Sequence, residues 1–209
     1  MSDLDRLLEA GSRHVQDDVT YVVEPHPAGS LVLPTGQLAA FDPGVTDEDE
    51  EPFTVPVTPG THPVTAWVAI LEKEGREWQR RVAALQVTVR PGVVMSWELA
   101  LVASDEPADL APGEFFGYGV ETGAGGFADL SVSRILAGWD TEEFEETFDP
   151  DEFPEEPIPG HFDHVIDPDT GANLIMAESG WGDGFYPTYV GRTADGEVAC
   201  FVTDFLVVP

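Results

Sequence analysis

Positive charge is what this 209-residue chain has least of. Nine Lys and Arg, of which only Lys73 is a lysine, stand against 40 Asp and Glu, for a formal net charge of −31. Without a basic footprint the chain is not expected to bind nucleic-acid phosphates directly, and anionic membrane surfaces are excluded on the same electrostatic ground. Cysteine is nearly absent. The single Cys200 sits in the apolar run Val198-Ala199-Cys200-Phe201-Val202, which excludes an internal disulfide and a thiolate zinc cluster and reads as a buried free thiol. No apolar run approaches the length of a membrane span. The opening Met1-Ser2-Asp3-Leu4-Asp5-Arg6 lacks the basic-then-apolar order of a secretory leader, so a cytoplasmic protein is expected. Apolar material is plentiful: 42% hydrophobic residues, with five Trp and twelve Phe, suffice for a sizeable core and exclude wholesale disorder.

The acid is unevenly spread. Residues 42–51 carry six carboxylates and residues 140–156 carry ten, with no Lys or Arg in either segment. The rest of the chain is itself near −15. Even acidity suggests a salt-adapted or acid-rich host proteome, whereas clustering suggests a face for a basic partner. The second segment interleaves Phe144, Phe148 and Phe153 with the acids. Asp140, with Glu143 three residues on, has the form of a capping box. A helix starting there sets Phe144 and Phe148 on one face at i, i+4 spacing, either docked on the body or carried on a partner-binding flap.

Along the chain, Leu4, Leu7, Leu8 and Val15 predict an amphipathic N-terminal helix within residues 1–18. From there to residue 209 the grammar is that of one strand-rich domain, with acidic insertions at 42–51 and 140–156. Short strands are expected at 20–24, 30–33, 37–41, 53–57, 94–103, 115–121, 173–177, 185–190 and 197–207. A long hairpin over 61–71 and 78–89 turns at Gly75, and Asp195-Gly196 has the form of a type I′ hairpin turn. A short helix is expected over 129–137, N-capped by Asp129 and stopped by Gly138. The fold class is therefore α+β: a mainly antiparallel, sandwich-like sheet domain with two or three short helices.

Four motifs carry candidate chemistry. Ser179-Gly180-Trp181-Gly182-Asp183-Gly184 lets backbone approach a ligand closely. Trp181 would stack there and Asp183 accept a hydrogen bond, or else the run is a tight turn with Trp181 plugging the sheet end. Ser179 lacks the Gly-x-Ser-x-Gly elbow of a hydrolase nucleophile. Gly123-Ala124-Gly125-Gly126 superficially resembles a phosphate-cradling loop, but no Lys follows, and Glu121 and Asp129 would repel a phosphate. Asp167-Pro168-Asp169-Thr170-Gly171-Ala172-Asn173, with Glu178 downstream, has alternate oxygen ligands as in a calcium loop, or the chemistry of a hairpin turn. His161 and His164 beside Asp163 and Asp167 supply two metal-type ligands without naming a third. No cofactor is expected, a divalent cation being the residual possibility.

Leu33-Pro34-Thr35-Gly36, Ala40-Phe41-Asp42-Pro43 and Val82-Ala83-Ala84, with Ser179-Gly180-Trp181-Gly182-Asp183-Gly184-Phe185-Tyr186, Asp195-Gly196 and Thr203-Asp204-Phe205, resemble the DUF4241 family of uncharacterised, mainly bacterial proteins. The resemblance runs over about residues 29–207 and is most specific in its C-terminal motif. It implies a fold and a set of positions and supplies no reaction. Where the family pattern has an Asp-Ala-Gly stretch, this chain reads Glu121-Thr122-Gly123.

Three functional readings follow. The first is an acidic binding module engaging a basic protein, an immunity- or antitoxin-type protein being one form. Its face would comprise Asp47, Glu48, Asp49, Glu142, Glu143, Phe144, Glu145, Glu146 and Phe148. The second is a ligand-binding protein or metal-assisted hydrolase, with a carboxylate pocket of Glu121, Asp129 and Asp183 beside Ser179 and Trp181. In the third, the acidity reflects only the host proteome. The first is preferred, because no nucleophile–base or metal constellation can be assembled.

Overall fold

The computed structural model describes residues 3–46, 48–148 and 153–209. The chain opens with α1 (Leu4–Leu7), β1 (Arg13–Gln16), β2 (Val19–Leu33) and β3 (Leu38–Phe41), followed by the long pair β4 (Gly60–Lys73) and β5 (Arg76–Thr88). Next come β6 (Ser96–Leu99), a 3-10 turn at Pro107–Asp109, β7 (Tyr118–Val120), β8 (Ala124–Asp129), α2 (Leu130–Leu136) and α3 (Thr141–Thr147). The chain finishes with β9 (Phe162–Asp167), β10 (Ala172–Glu178), β11 (Gly184–Tyr186), β12 (Thr188–Arg192) and β13 (Val198–Asp204).

The strands form three antiparallel sheets: seven strands in the order β1-β2-β4-β5-β13-β12-β6, four in the order β3-β8-β10-β9, and the pair β11-β7. Alternation along the four-stranded sheet shows how they are layered. Leu38, Ala40, Phe127, Ile175 and Ala177 face the large core shared with the seven-stranded sheet. Their neighbours Ala39, Phe41, Ala128, Leu174 and Met176 face a second core with Leu130, Val132 and Leu136 of α2 and with Phe148. Because side chains alternate with period two, one sheet lines two cores, and the molecule has three layers: large sheet, small sheet, helices. The expected α+β sandwich-like class is what is observed.

Asn173, only 4% exposed, stitches the two sheets together. Its Oδ1 accepts from the Val32 amide at 2.8 Å, and its Nδ2 donates to the Ser30 carbonyl and to Asp163. Nearby, β2 bulges between Pro27 and Gly29. Gly29 has φ 123°, and a Cβ there would collide with the Asp163 carboxylate. The two stretches expected as separate strands at 20–24 and 30–33 are thus one bent strand. Its prolines are tolerated because β1 pairs only with Val19–Val22, leaving the later edge of β2 without that ladder.

The long hairpin is as expected, with Glu74 and Gly75 both at positive φ (51° and 73°), as a type I′ turn demands. Other expectations need correction. The N-terminal helix stops at Leu7, and the chain turns at Gly11 (φ 78°) into β1, where Val15 is exposed. Of the four apolar residues only Leu4 and Leu7 are buried, too little to extend it. Residues 53–57 form no strand: prolines 52, 56 and 59 interrupt the ladder, although Phe53 and Val57 are buried. Residues 185–190 split at Pro187 into β11 and β12, which belong to different sheets. At Asp195-Gly196 only the glycine has positive φ (82°), so the β12–β13 hairpin is real but its turn is not type I′.

Candidate interaction face

The second acidic segment begins as the spacing predicts. Asp140 caps α3 by accepting from the Glu143 amide at 2.9 Å, and Glu143 returns the contact to the Asp140 amide at 3.1 Å. This satisfies two of the amides a helix start leaves unpaired. Phe144 and Phe148 stack at 4.5 Å, and Phe148 also meets Phe162 at 4.8 Å and Trp139 at 6.2 Å. Phe148 is only 6% exposed, and burying such a ring contributes roughly 2–3 kcal/mol. The helix is therefore fixed to the small sheet by its aromatic side, while Glu142, Glu143, Glu145 and Glu146 stay exposed. Residues 149–152 of this segment lie outside the described residues.

The first acidic segment leaves the small sheet at the end of β3. Its leading residue, Asp42, is not a surface charge: 2% exposed, it accepts from the amides of Gly44, Glu121 and Thr122 and from the Thr122 hydroxyl. That clamp ties the root of the loop to the chain between β7 and β8. Glu48 and Asp49 are exposed farther along, and Asp47 lies outside the described residues. Asp49, Glu50 and Glu51 border a small cavity of about 200 Å³ with Asp105, Phe53, Tyr118 and Thr188.

The two acidic segments, about a hundred residues apart in sequence, meet at one groove of about 820 Å³, which among the described residues the first segment lines with uncharged residues and the second with Asp140 and Glu145. Pro43, Gly44 and Thr46 form one bank, Asp140, Thr141 and Glu145 the other, and Leu136, Trp139, Phe144 and Phe148 the floor. Trp139 was not singled out in the sequence. It had a signal, since a hydrophobic residue just before an N-cap with another at the fourth helical position is the hydrophobic-staple spacing, met here by Trp139 and Phe144.

Charge is segregated around this face. Residues 91–191 carry 22 acids and one base, Arg134, and residues 14–72 carry no base. Most other bases lie in or beside strands of the large sheet and are already paired: Arg13 with Glu72 (2.7 Å), Lys73 with Asp18 (2.9 Å), Arg80 with Glu77 (2.7 Å), Arg90 with Glu197 (2.9 Å) and Arg192 with Glu98 (2.6 Å).

The alternative ligand site is only half assembled. The two glycine-rich stretches do meet, with the Ser179 amide donating to the Gly123 carbonyl at 2.9 Å. A cavity of about 510 Å³ lies at their junction, lined by Thr122, Gly123, Gly180 and Trp181. Asp129 is not there. It sits at the far end of β8, about 17 Å along an extended strand, fully buried, where it caps α2 through Ser131 and holds the Thr35 amide and hydroxyl. Ser179 is buried with its hydroxyl donating to the Gly182 carbonyl, so it presents no nucleophile. Glu121 and Asp183 are exposed and do not line the cavity. The charged groups that do line it include Arg81 and Glu178. Arg81 lies 5.2 Å from the centre of the half-exposed Trp181 ring and 3.7 Å from Glu178. The cavity is thus not the carboxylate pocket the sequence suggested.

The remaining motifs have structural employment. Gly125 and Gly126 lie inside β8 and form no phosphate loop. A Cβ on Gly125 would strike the Tyr118 hydroxyl, and one on Gly126 would lie 2.7 Å from the Met176 side chain and the Ile175 carbonyl. Asp167 accepts from the Thr170 hydroxyl at 2.6 Å and the Asp169 amide at 3.0 Å in the β9–β10 turn. Chiefly the hydroxyl, then that amide, hold its carboxyl below the usual range. His161 lies 2.8 Å from the Ala28 carbonyl and His164 stacks on Phe162. Among the described residues, no three or more His, Cys, Asp or Glu are placed to hold a metal ion. Burial pushes the Cys200 thiol up to about 11, which suits an inert core residue.

Among the described residues no helix is long and apolar enough to cross a membrane. No curated protein and no solved structure matches the chain. A family model does match, and it spans β13, the small sheet, both acidic segments and the junction of the glycine-rich stretches. On that match over residues 31–203, the chain belongs to DUF4241, a family of proteins of unknown function.

Proposed function

We propose that this protein is a non-catalytic binding module that engages a basic protein partner through its acidic small-sheet face. The observation that carries the reading is that the two acidic segments are brought side by side at a groove whose charged lining residues, Asp140 and Glu145, are both acidic. A charge arrangement produced by proteome-wide acidity has no need to bring those segments together or to anchor one on stacked phenylalanines. Complementary fields of this kind raise association rates more than final affinity. An immunity- or antitoxin-type role, with the face neutralising a basic toxin domain, is the most specific form of the proposal.

The test is a pull-down with the full chain at low and high salt, the partner being identified and its association rate measured. A protein of high pI is expected, retained at low salt. Replacing Glu142, Glu143, Glu145 and Glu146 with Gln should slow association about tenfold or more. Those changes are near-isosteric, and Gln at position 143 still completes the capping box, so the helix survives. Retention indifferent to both salt and the four substitutions would sink the proposal.

A further inference from the structure

We infer that the groove between α3 and the start of the first acidic segment is the docking site for a basic amphipathic segment, which seats an apolar side chain on Trp139 and Phe144 and sets its Lys or Arg residues against Asp140, Glu145 and the exposed glutamates of α3. This rests on the proposed basic partner and specifies where and how it would bind.

The groove differs from a patch of carboxylates in having an apolar floor. Leu136, Trp139, Phe144 and Phe148 line it, and Asp140 and Glu145 stand on its bank. It is open along its length, whereas small-molecule sites typically enclose most of their ligand. An open apolar groove with charges along one bank is a form that receives one face of an amphipathic helix, read through anchors three and four residues apart. The sign of the occupant follows from its surroundings. No Lys or Arg lines the groove, and Glu142, Glu143 and Glu146 extend the negative field along the exposed side of α3. An acidic or phosphorylated segment would meet repulsion from the α3 bank, and a neutral one would leave its field uncompensated. The banks are also held in place beforehand: Asp42 clamps one and the Asp140–Glu143 capping box the other. Little ordering is then left to the moment of binding.

The experiment uses the full chain and two fluorescent 14-residue peptides of equal positive charge. One is a helix-forming Lys/Leu/Ala sequence with a leucine face, the other a Lys/Gly/Ser sequence without apolar side chains. Anisotropy titrations at low salt should show the leucine peptide binding at least tenfold more tightly. Thr141→Trp, which fills the groove from an exposed position, and Trp139→Ser should each reduce that binding at least fivefold. Those two changes leave the net charge as it is; Glu9→Lys, which removes two negative charges' worth at an exposed site outside the groove, should alter binding less than twofold. Thermal melts of each variant confirm folding.

Equal affinity for the two peptides, or insensitivity to Thr141→Trp, would overturn the groove while leaving the acidic face intact as an electrostatic partner site. Failure of both peptides to bind at low salt would remove the basic partner as well. Concentration-dependent self-association in sedimentation that the leucine peptide displaces would assign the groove to a second copy of this chain and overturn the inference.

Discussion

The individual side chains with the greatest structural responsibility here are buried carboxylates, in a protein whose carboxylates mostly face water. Asp42 accepts hydrogen bonds from three amides and one hydroxyl contributed by two stretches of chain. Truncating it would take the charged acceptor from the part-buried bonds of the Glu121 and Thr122 amides, and hydrogen bonds to charged groups are worth about 1.5–3 kcal/mol each. Asp42→Ala should therefore destabilise the fold by about 2–4 kcal/mol in urea unfolding. Replacing Glu48 with Ala, an exposed acid of the same loop, should change stability by less than about 0.5 kcal/mol. Composition cannot separate these two acids. What separates them is that Asp42 follows directly on a buried strand and precedes Pro43-Gly44, where the backbone leaves the sheet and amides lose their ladder partners. The sequence points to Asp129 as an N-cap more directly, because a helical pattern starts right after it.

Among the elements, α3 is the one on which the functional proposal turns. At seven residues it is too short to be stable alone, and it persists through its capping box and its aromatic anchor. Asp140→Ala should cost about 1 kcal/mol. Hydrogen exchange of the amides in residues 144–148 should accelerate severalfold, with exchange in β4 and β5 unchanged. This helix was legible because capping and i, i+4 spacing are local signals. The β4–β5 hairpin was legible for a similar reason, its two apolar runs flanking Glu74-Gly75. Strand β8 was not. Its Ala-Gly-Gly start reads as a loop, and only the neighbouring Tyr118, Met176 and Phe205 explain why glycine is needed in a strand. β9 was hidden similarly, since His161–His164 reads as a polar cluster, whereas His161 and Asp163 contact the Ala28 carbonyl and Asn173.

For the whole molecule, the fold class and family could be read from alternation and motifs, whereas the groove could not. It is formed by two segments remote in sequence, and no local pattern reports that they meet. A charge of −31 also sets the response to pH and salt. Between neutrality and about pH 5, carboxylates begin to take up protons, and relief of self-repulsion should raise the melting temperature. His14 opposes this rise below its ordinary value of 6.5, because burial, then Arg6, lower its folded-state value. At lower pH the sign reverses. Asp18 through Lys73, Glu77 through Arg80, Asp167 through Thr170 and Asp195 through Thr193 are all held below their ordinary values of 3.8 and 4.5. The stability they provide is complete above those ordinary values and is lost as pH falls through the lower folded-state ones. Thermal melts in low salt should therefore peak near about pH 5 and fall steeply below about pH 4. Added salt should raise the melting temperature at pH 7 more than at the peak. A melting temperature that falls steadily from pH 7 downward would contradict the repulsion argument.

Segregated charge has one more consequence. Eight of the nine bases belong to α1 or to strands of the large sheet and their flanks, and the densest acid lies beyond the small sheet. The molecule is thus an electric dipole as well as a polyanion. A dipole is turned as well as pulled, so near a basic surface it rotates before it touches, leading with α3. The protein adsorbed on an anion exchanger would likewise stand with α3 toward the resin.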